Sequence, residues 1–267
     1  MLSLAAIREA RERISDVARE TPVEYSHTFS ERTGAAVHLK LENFQRTGAF
    51  KIRGALNRIT TLSDAEQAAG VVTASAGNHA QGVALAATRA GVDATIVMPE
   101  HAPISKVKAT RSYGARVVLA GVDYEEAQAR AHEIEREEGR TYVHAFDDEM
   151  VMAGQGTIGL EIVSQQPDVD TVIVPIGGGG LIAGIATAIK AQQPDVRVIG
   201  VQAEGAASVA ESLAAGEIRE RDSVDTVADG IATRSVGTQP FAIIQERVDE
   251  VVTVSDEEIA LAITLLL

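Results

Sequence analysis

The residue best suited to covalent chemistry is Lys51, which lies within the run TGAFKIRG at residues 47–54. A lysine amine becomes a nucleophile near neutral pH only where its surroundings lower its pKa, as burial does. Phe50 and Ile52 flank Lys51 and offer such apolar surroundings. Taken alone, a solvated lysine at the start of a helix is the commoner interpretation. Lys51 is therefore a candidate nucleophile that needs independent support.

A second candidate is the loop SAGNHAQG at residues 75–82, which follows an apolar run and opens an alanine-rich segment. A strand-to-helix turn of small residues leaves backbone N–H groups at the positive end of the helix, where phosphate or carboxylate binds. Asn78 adds an amide that can reach a ligand oxygen, and His79 could be an acid or a base. A histidine at a helix start is more often a structural hydrogen-bond partner. We therefore expect His79 to act through its backbone.

The third candidate is the tetraglycine turn, Gly177–Gly180, within the run PIGGGGL at residues 175–181. Successive glycines let the backbone fold into a nest of N–H groups around a phosphate. A dinucleotide-binding turn is an alternative, and its acid, expected about 20 residues further on, would be Asp195 or Glu204. A plain tight connection is the other alternative.

Together these three segments offer a reactive amine, a carboxylate cradle and a phosphate cradle. Those are the parts needed to hold pyridoxal 5'-phosphate and an amino acid at the same time. The combination is more specific than any of the three segments by itself.

Short apolar runs that alternate with amphipathic segments must position these residues. Alternation at this spacing predicts an α/β fold with parallel sheets and helices on both faces. A first helix carrying Leu4 and Val17 is expected to end at Thr21-Pro22, and a half-buried strand is expected at 37–41. Glycines are expected to end helices at positions 70, 91, 114 and 139. The other predicted strands are Val71–Ala74, Ala94–Met98, Arg116–Leu119, Thr171–Pro175, Val196–Val201 and Glu250–Val254.

The amino-acid composition argues against several classes of function. The 267 residues include 24 basic and 38 acidic side chains, a net charge of -14, which argues against a nucleic-acid partner. The absence of cysteine excludes disulfides, thiolate metal sites and cysteine nucleophiles. With no apolar run of membrane-spanning length and no signal-like N-terminus, we expect a cytoplasmic protein that does not enter membranes.

Taken in order, the motifs resemble the serine/threonine dehydratases, or threonine ammonia-lyases, of the tryptophan-synthase-β-like (fold type II) pyridoxal-phosphate enzyme family. The similarity runs essentially from end to end and rests on several motifs in the family's order. They are Thr21-Pro22, LKLEN at 39–43, QRTG at 45–48, FKIRG at 50–54, SAGNHAQG at 75–82 and GGGGL at 177–181.

The resemblance implies a role for each site residue. Lys51 forms a Schiff base with the cofactor and later moves the Cα proton, and Ser75 is the second catalytic residue. The cofactor-binding residues are Phe50 against the pyridine ring, Asn78 at the ring hydroxyl, and Gly177, Gly178, Gly179, Gly180 and Leu181 at the phosphate. The residues for the substrate carboxylate are Ser75 and the N–H groups of Gly77, Asn78 and His79.

The resemblance also implies two lobes, each with a mostly parallel sheet flanked by helices. The large cofactor-binding lobe would be residues 1–60 and 148–267, and a small lobe, 61–147, would close over the substrate. Ser255-Asp256-Glu257-Glu258 indicates a helix start, whereas the chain stops at Leu267, so we expect it to be cut within a helix. The family's partner for the pyridine nitrogen would lie beyond that point. Relatives are dimers or tetramers, which implies a homo-oligomer.

Two positions depart from the family's pattern. Racemases of the family have a second serine where this chain has Ala76, which favours elimination. Metal-binding relatives have an acid six residues after the position of Glu204, where this chain has Ala210, so we expect no metal.

The resemblance implies dehydration and deamination of L-threonine, and of L-serine, to 2-oxobutanoate or pyruvate and ammonia, as in isoleucine biosynthesis. The alternatives are serine racemisation, hydroxyaspartate dehydration, β-replacement and an inactive cofactor-binding fragment. A dinucleotide-dependent oxidoreductase would leave Lys51 and the loop at 75–82 unexplained.

Overall fold

The computed structural model describes residues 2–266, which form two compact units. The lysine unit, named after Lys51, comprises residues 9–19 and 42–154. The tetraglycine unit, named after Gly177–Gly180, comprises residues 2–8, 20–41 and 155–266. The lobe boundaries expected from the sequence, at residues 60 and 148, stay a prediction.

Helices and strands alternate along most of the chain. The helices are α1 (Leu4–Ile14), α2 (His27–Thr33), α3 (Lys51–Thr60), α4 (Asp64–Ala69), α5 (Asn78–Ala90), α6 (Ile104–Ser112), α7 (Tyr124–Glu138), α8 (Glu149–Gln165), α9 (Gly180–Lys190), α10 (Ser208–Ala215), α11 (Thr238–Arg247) and α12 (Asp256–Leu266). The strands are β1 (Val23–Tyr25), β2 (His38–Lys40), β3 (Val71–Ala74), β4 (Ala94–Met98), β5 (Arg116–Leu119), β6 (Thr141–Tyr142), β7 (Thr171–Pro175), β8 (Arg197–Ala203) and β9 (Glu250–Val254).

The lysine unit contains a four-stranded parallel sheet with the strand order β5-β4-β3-β6. Every residue of β3 and β4 is buried, because helices cover both faces of the sheet, as parallel sheets require. Helices α5 and α7 end at Gly91 and Gly139, whose φ angles of 69° and 66° are left-handed. The predicted α/β fold with parallel sheets is confirmed.

The tetraglycine unit contains a three-stranded parallel sheet, β7-β8-β9, and an antiparallel pair, β1-β2. The hydroxyl of Ser255 accepts the N–H of Glu258 at 3.3 Å, and the Glu258 carboxylate accepts the N–H of Ser255 at 2.8 Å. This reciprocal pair is a capping box, and it confirms the predicted start of α12. Within residues 2–266, no helix combines the length and the apolar character needed to cross a membrane.

The expected end of the first helix at Thr21-Pro22 is wrong, because α1 ends at Ile14. The hydroxyl of Ser15 donates to the carbonyl oxygen of Glu12 at 2.9 Å. Such a bond gives the backbone an alternative to the helix. The chain then turns, with the N–H of Val17 donating to the carbonyl of Ile14 at 3.1 Å.

Candidate active site

Lys51 is the first residue of α3, directly after a turn in which Gly48 has a φ of 72°. Its Nζ donates to the carbonyl oxygen of Ala145 at 2.8 Å and lies 5.3 Å from the centroid of the Phe50 ring. Burial lowers the pKa of Lys51 to about 8, because the ammonium has lost much of its water. Lys51 is therefore closer to a neutral nucleophile than to a solvated surface lysine.

A buried ion pair fixes the first turn of α3. The side chain of Arg53 is only 1% exposed, and its guanidinium donates to both carboxylate oxygens of Glu42, at 2.8 and 2.9 Å. It also donates to the carbonyl oxygen of Arg19 at 2.9 Å. Such a bidentate pair holds a guanidinium in one orientation. Arg53 therefore holds the backbone two residues after Lys51, a role that the sequence analysis missed.

Helix α5 packs closely on the start of α3. A Cβ atom at Gly82 would lie 3.1 Å from the backbone carbon of Lys51 and 3.1 Å from the backbone nitrogen of Ile52. A glycine lets two helix backbones approach where a side chain would hold them apart. The last residue of the SAGNHAQG motif therefore places Lys51 rather than a ligand.

The loop before α5 has the form expected of an anion site. The N–H of Ser75 donates to the carbonyl of Val97 at 3.1 Å, and the Ser75 hydroxyl accepts the N–H of Gly77 at 3.1 Å. Among residues 2–266, the backbone N–H groups of Asn78 and His79 meet no acceptor. Asn78 is exposed and begins α5. Free N–H groups at a helix start favour a carboxylate.

The imidazole of His79 has a structural partner. It is 4% exposed, and its Nε2 donates to the carbonyl oxygen of Val143 at 3.0 Å. Burial, then the charge of Lys51, lowers the pKa of His79 to about 3, so the ring is neutral near pH 7. This agrees with the expectation that the ring is structural, and it leaves the backbone N–H for a ligand.

The tetraglycine turn connects β7 to α9. Gly179 has a φ of 92°, and a Cβ atom there would lie 2.8 Å from the Cβ of Pro240. A Cβ atom at Gly177 would lie 3.1 Å from the Cα of Ile231. Only glycine suits the left-handed backbone and close contact at position 179, whereas a side chain at position 177 would have to displace the backbone of Ile231 by a few tenths of an ångström. In the part of the chain that the structure describes, the N–H groups of residues 178–181 have no acceptor, so the turn fits a phosphate at the N-terminus of α9.

Geometry alone leaves the dinucleotide alternative open. Glu204 directly follows β8, the position of the acid in a dinucleotide-binding unit, whereas Asp195 precedes that strand.

Ala210 occupies the position at which metal-binding relatives have an acid. Its backbone N–H donates to the side-chain oxygen of Gln202 at 3.0 Å. Residues 2–266 contain no cluster of three acidic, histidine or cysteine side chains that could hold a metal.

The comparison with known proteins decides between these alternatives. The family described as "Pyridoxal-phosphate dependent enzyme" matches residues 14–267. The chain belongs to this family. Pyridoxal phosphate is therefore its cofactor. Each unit, taken by itself, has groups that suit it: an amine of lowered pKa in the lysine unit, and in the tetraglycine unit N–H groups that meet no acceptor among residues 2–266.

Curated relatives of this pyridoxal-phosphate enzyme include two named L-threonine ammonia-lyase. The one from Geobacter sulfurreducens is 54% identical over 267 residues, which are 100% of this chain and 66% of the relative. The one from Thermotoga maritima is 51% identical over 267 residues, again 100% of this chain, and 67% of the relative. The chain thus spans about two thirds of the length of these relatives.

Two solved structures have the same TM-score to this chain. Threonine deaminase isoform 2 from Solanum lycopersicum, in its processed form, has a TM-score of 0.96 and 45% identity, covering 98% of this chain and 72% of that one. Maize serine racemase also has a TM-score of 0.96, with 39% identity over 99% of this chain and 80% of that one. The fold is therefore shared between relatives with different reactions.

Proposed function

We propose that this chain is the catalytic core of an L-threonine ammonia-lyase, which converts L-threonine to 2-oxobutanoate and ammonia and L-serine to pyruvate and ammonia. The observation that carries the proposal is the state of Lys51, an amine at a helix start whose burial lowers its pKa to about 8. The choice of substrate is supported by 54% and 51% identity to two L-threonine ammonia-lyases over the whole chain.

The residues predicted from the sequence keep their roles in this proposal. Lys51 carries the cofactor and Phe50 packs against its ring. Asn78 binds the ring hydroxyl, and the substrate carboxylate is held by Ser75 with the N–H groups of Gly77, Asn78 and His79. The phosphate is bound by the N–H groups of the tetraglycine turn and the start of α9, residues Gly177, Gly178, Gly179, Gly180 and Leu181.

The chemistry needs a base at the substrate Cα and a fixed substrate carboxylate. When bound, the cofactor supplies an electron sink that stabilises negative charge at Cα. The neutral amine of Lys51 accepts the Cα proton, and the resulting ammonium donates to the carbonyl of Ala145, its partner at 2.8 Å. The positive end of α5 orients the carboxylate. Overall, threonine loses one water molecule in the elimination, and hydrolysis of the dehydrated product takes up one water molecule. The final products are a 2-oxo acid and ammonia.

Serine racemisation is the second candidate, because maize serine racemase has the same TM-score of 0.96. Racemisation needs a second acid–base group on the opposite face of Cα. The loop at 75–82 has Ala76 where racemases have a serine, and an alanine cannot move a proton. Elimination is therefore favoured.

The remaining expectations are also proposals. A homo-oligomer, a cytoplasmic location and a part in isoleucine biosynthesis follow the resemblance to threonine dehydratases. A net charge of -14 supports the absence of a nucleic-acid partner. Light scattering of the purified chain measures its oligomeric state, and a mass equal to one copy would contradict the first of these proposals.

The assignment of Lys51 is tested by trapping the cofactor. The protein is incubated with pyridoxal phosphate, reduced with borohydride and digested, and the labelled peptide is identified by mass spectrometry. The sequence has lysine at only five positions, 40, 51, 106, 108 and 190, so the site is read unambiguously. We expect label at Lys51, none in Lys51→Ala, and normal labelling in Lys108→Ala, which removes an exposed lysine. Label elsewhere would remove Lys51 from this role.

The assignment of the reaction is tested by product release. Formation of 2-oxo acid is measured with L-threonine, L-serine and 3-hydroxyaspartate, and D-serine formation is measured in parallel. We expect the greatest kcat/KM with L-threonine. Labelled protein that forms D-serine but no 2-oxo acid would favour racemisation, and labelled protein with neither activity would favour a cofactor-binding fragment.

A further inference from the structure

The segment between β6 and α8, residues 143–147, contacts two of the proposed site residues. The carbonyl oxygen of Val143 accepts the Nε2–H of His79 at 3.0 Å and the hydroxyl of Thr73 at 2.8 Å. Two residues later, the carbonyl oxygen of Ala145 accepts Nζ of Lys51 at 2.8 Å. All of these residues belong to the lysine unit. The conformation of this segment therefore decides where the acceptor of Lys51 lies.

His144 closes the turn within this segment. Its Nδ1 accepts the backbone N–H of Asp147 at 2.8 Å and that of Phe146 at 3.2 Å. The ring also packs edge-on against Phe146, with the centroids 4.6 Å apart. These bonds span two and three residues, the pattern by which asparagine and aspartate side chains stabilise turns. They require an unprotonated Nδ1.

We propose that His144 is a positioning residue for Lys51: by accepting the N–H groups of Phe146 and Asp147, its Nδ1 holds the turn that directs the carbonyl of Ala145 at Nζ. The inference rests on the proposed role of Lys51 and adds a residue to it. It assigns His144 no contact with substrate or cofactor.

The charges around His144 are compatible with an unprotonated ring. Burial is the largest cause lowering the pKa of His144, and Lys51 on α3 and His132 on α7 lower it further. Asp147 in its own segment and Asp148 directly after that segment act in the opposite direction. His79 on α5 is also near enough for its own pKa to be lowered by His144. Burial, with Lys51 and His132 acting in the same direction, outweighs the two carboxylates.

Loss of the Nδ1 acceptor has a consequence that can be measured at Lys51. Two partly buried N–H groups would lose this acceptor, and an unpartnered donor costs enough free energy to make the turn rearrange. Water would then reach the ammonium of Lys51, and the pKa of Lys51 would rise toward its ordinary value. A smaller neutral fraction of the amine reacts more slowly with pyridoxal phosphate near neutral pH.

The test follows the labelling of Lys51 over time as a function of pH. Samples are quenched with borohydride, and label at Lys51 is measured by mass spectrometry. In His144→Ala we expect the pH midpoint to rise by about one unit and the rate at pH 7 to fall about tenfold. His144→Asn, whose side-chain oxygen can accept the same two N–H groups, should stay within about twofold of the wild-type rate. His101→Ala removes an exposed imidazole of the same unit and is the matched control.

The outcomes separate this inference from the proposed function. If the wild-type protein carries no label at Lys51, the proposed function fails. If Lys51 is labelled but His144→Ala has the wild-type pH profile, only the positioning role fails. Equal losses in His144→Ala and His144→Asn would also overturn it, because the acceptor would then be irrelevant. If circular dichroism finds the alanine variant unfolded, His144→Leu, which keeps apolar volume without an acceptor, replaces it.

Discussion

At the scale of residues, three nitrogen bases of the lysine unit have surroundings that lower their pKa values. The charge of Lys51 lowers the pKa of both His79 and His144, and burial lowers the pKa of all three groups. A neutral Lys51 accepts a proton, whereas a neutral His79 and a neutral His144 keep their hydrogen bonds. The same low-dielectric surroundings therefore lower the pKa of Lys51 and strengthen the hydrogen bonds that fix the geometry around it.

The buried His79 makes the protein sensitive to acid. Its pKa is about 3 in the folded chain and about 6.5 when unfolded. Between these values the unfolded state binds more protons, so stability falls as the pH drops below about 6.5. At pH 5 this costs about 2 kcal/mol relative to pH 7. His79→Gln keeps a donor for Val143 without a titrating group, and we expect it to lose about 2 kcal/mol less on acidification.

Urea unfolding at pH 7 and pH 5, followed by circular dichroism, measures the difference. His101→Gln is the control, because it removes an exposed imidazole. It should lose as much stability on acidification as the wild type. Equal acid losses in the wild type and His79→Gln would mean that His79 is charged or solvated in the folded protein.

At the scale of elements, close approach to α3 depends on glycines of its two neighbours. A Cβ atom at Gly154 on α8 would lie 2.5 Å from the carbonyl oxygen of Arg53 and 2.6 Å from the Cα of Gly54. Both atoms are backbone, so a rotamer change cannot relieve the overlap. The helix that begins at Lys51 therefore tolerates no side chain at this contact.

Gly154→Ala should force α3 and α8 apart. We expect a loss of about 2 kcal/mol, because overpacking outweighs the roughly 1 kcal/mol that alanine gains within a helix. Slower labelling of Lys51 should accompany it. Gly230→Ala is the control, since a Cβ atom there meets nothing within 4 Å. Equal unfolding free energies of the two variants in urea would contradict the close-packing argument.

The sequence predicted every strand of four residues or more and missed two of the shortest. All six short apolar runs are strands, although only β3 and β4 are buried throughout and no residue of β5 or β9 is buried. Strands β1 and β6 were missed, since they are only three and two residues long. Parallel sheets with helices on both faces were predicted, yet Ile173 in β7 is 65% exposed within the described chain. The hydrophobic pattern of a strand does not show which of its two faces is covered by another element.

The same limit applies to the site. Its motifs could be recognised because each is a continuous stretch of sequence: the run around Lys51, the loop at 75–82 and the tetraglycine turn. Ala145 was missed, because it contributes only a carbonyl oxygen, 94 residues from its partner Lys51. Arg53 and His144 act on backbone geometry. At both positions the sequence shows only a polar residue among apolar neighbours, which does not indicate this role. Tertiary partners of this kind require coordinates.

At the scale of the whole molecule, an anionic cofactor must bind a chain with a net charge of -14. The net charge repels it at long range, and salt screens this repulsion. At short range the unbonded N–H groups of residues 178–181 and the positive end of α9 attract a phosphate. The phosphate should therefore supply much of the binding free energy, even where no covalent bond forms.

Lys51→Ala separates phosphate binding from covalent attachment. A ligand that binds only the folded protein stabilises it by about 2.7 kcal/mol at 100 times its Kd. We expect pyridoxal phosphate to raise the Tm of Lys51→Ala in proportion to the logarithm of its concentration, whereas pyridoxal, which lacks the phosphate, should have little effect. Inorganic phosphate should compete. Equal Tm shifts from the two ligands, in differential scanning fluorimetry at constant ionic strength, would mean that the tetraglycine turn only connects β7 to α9.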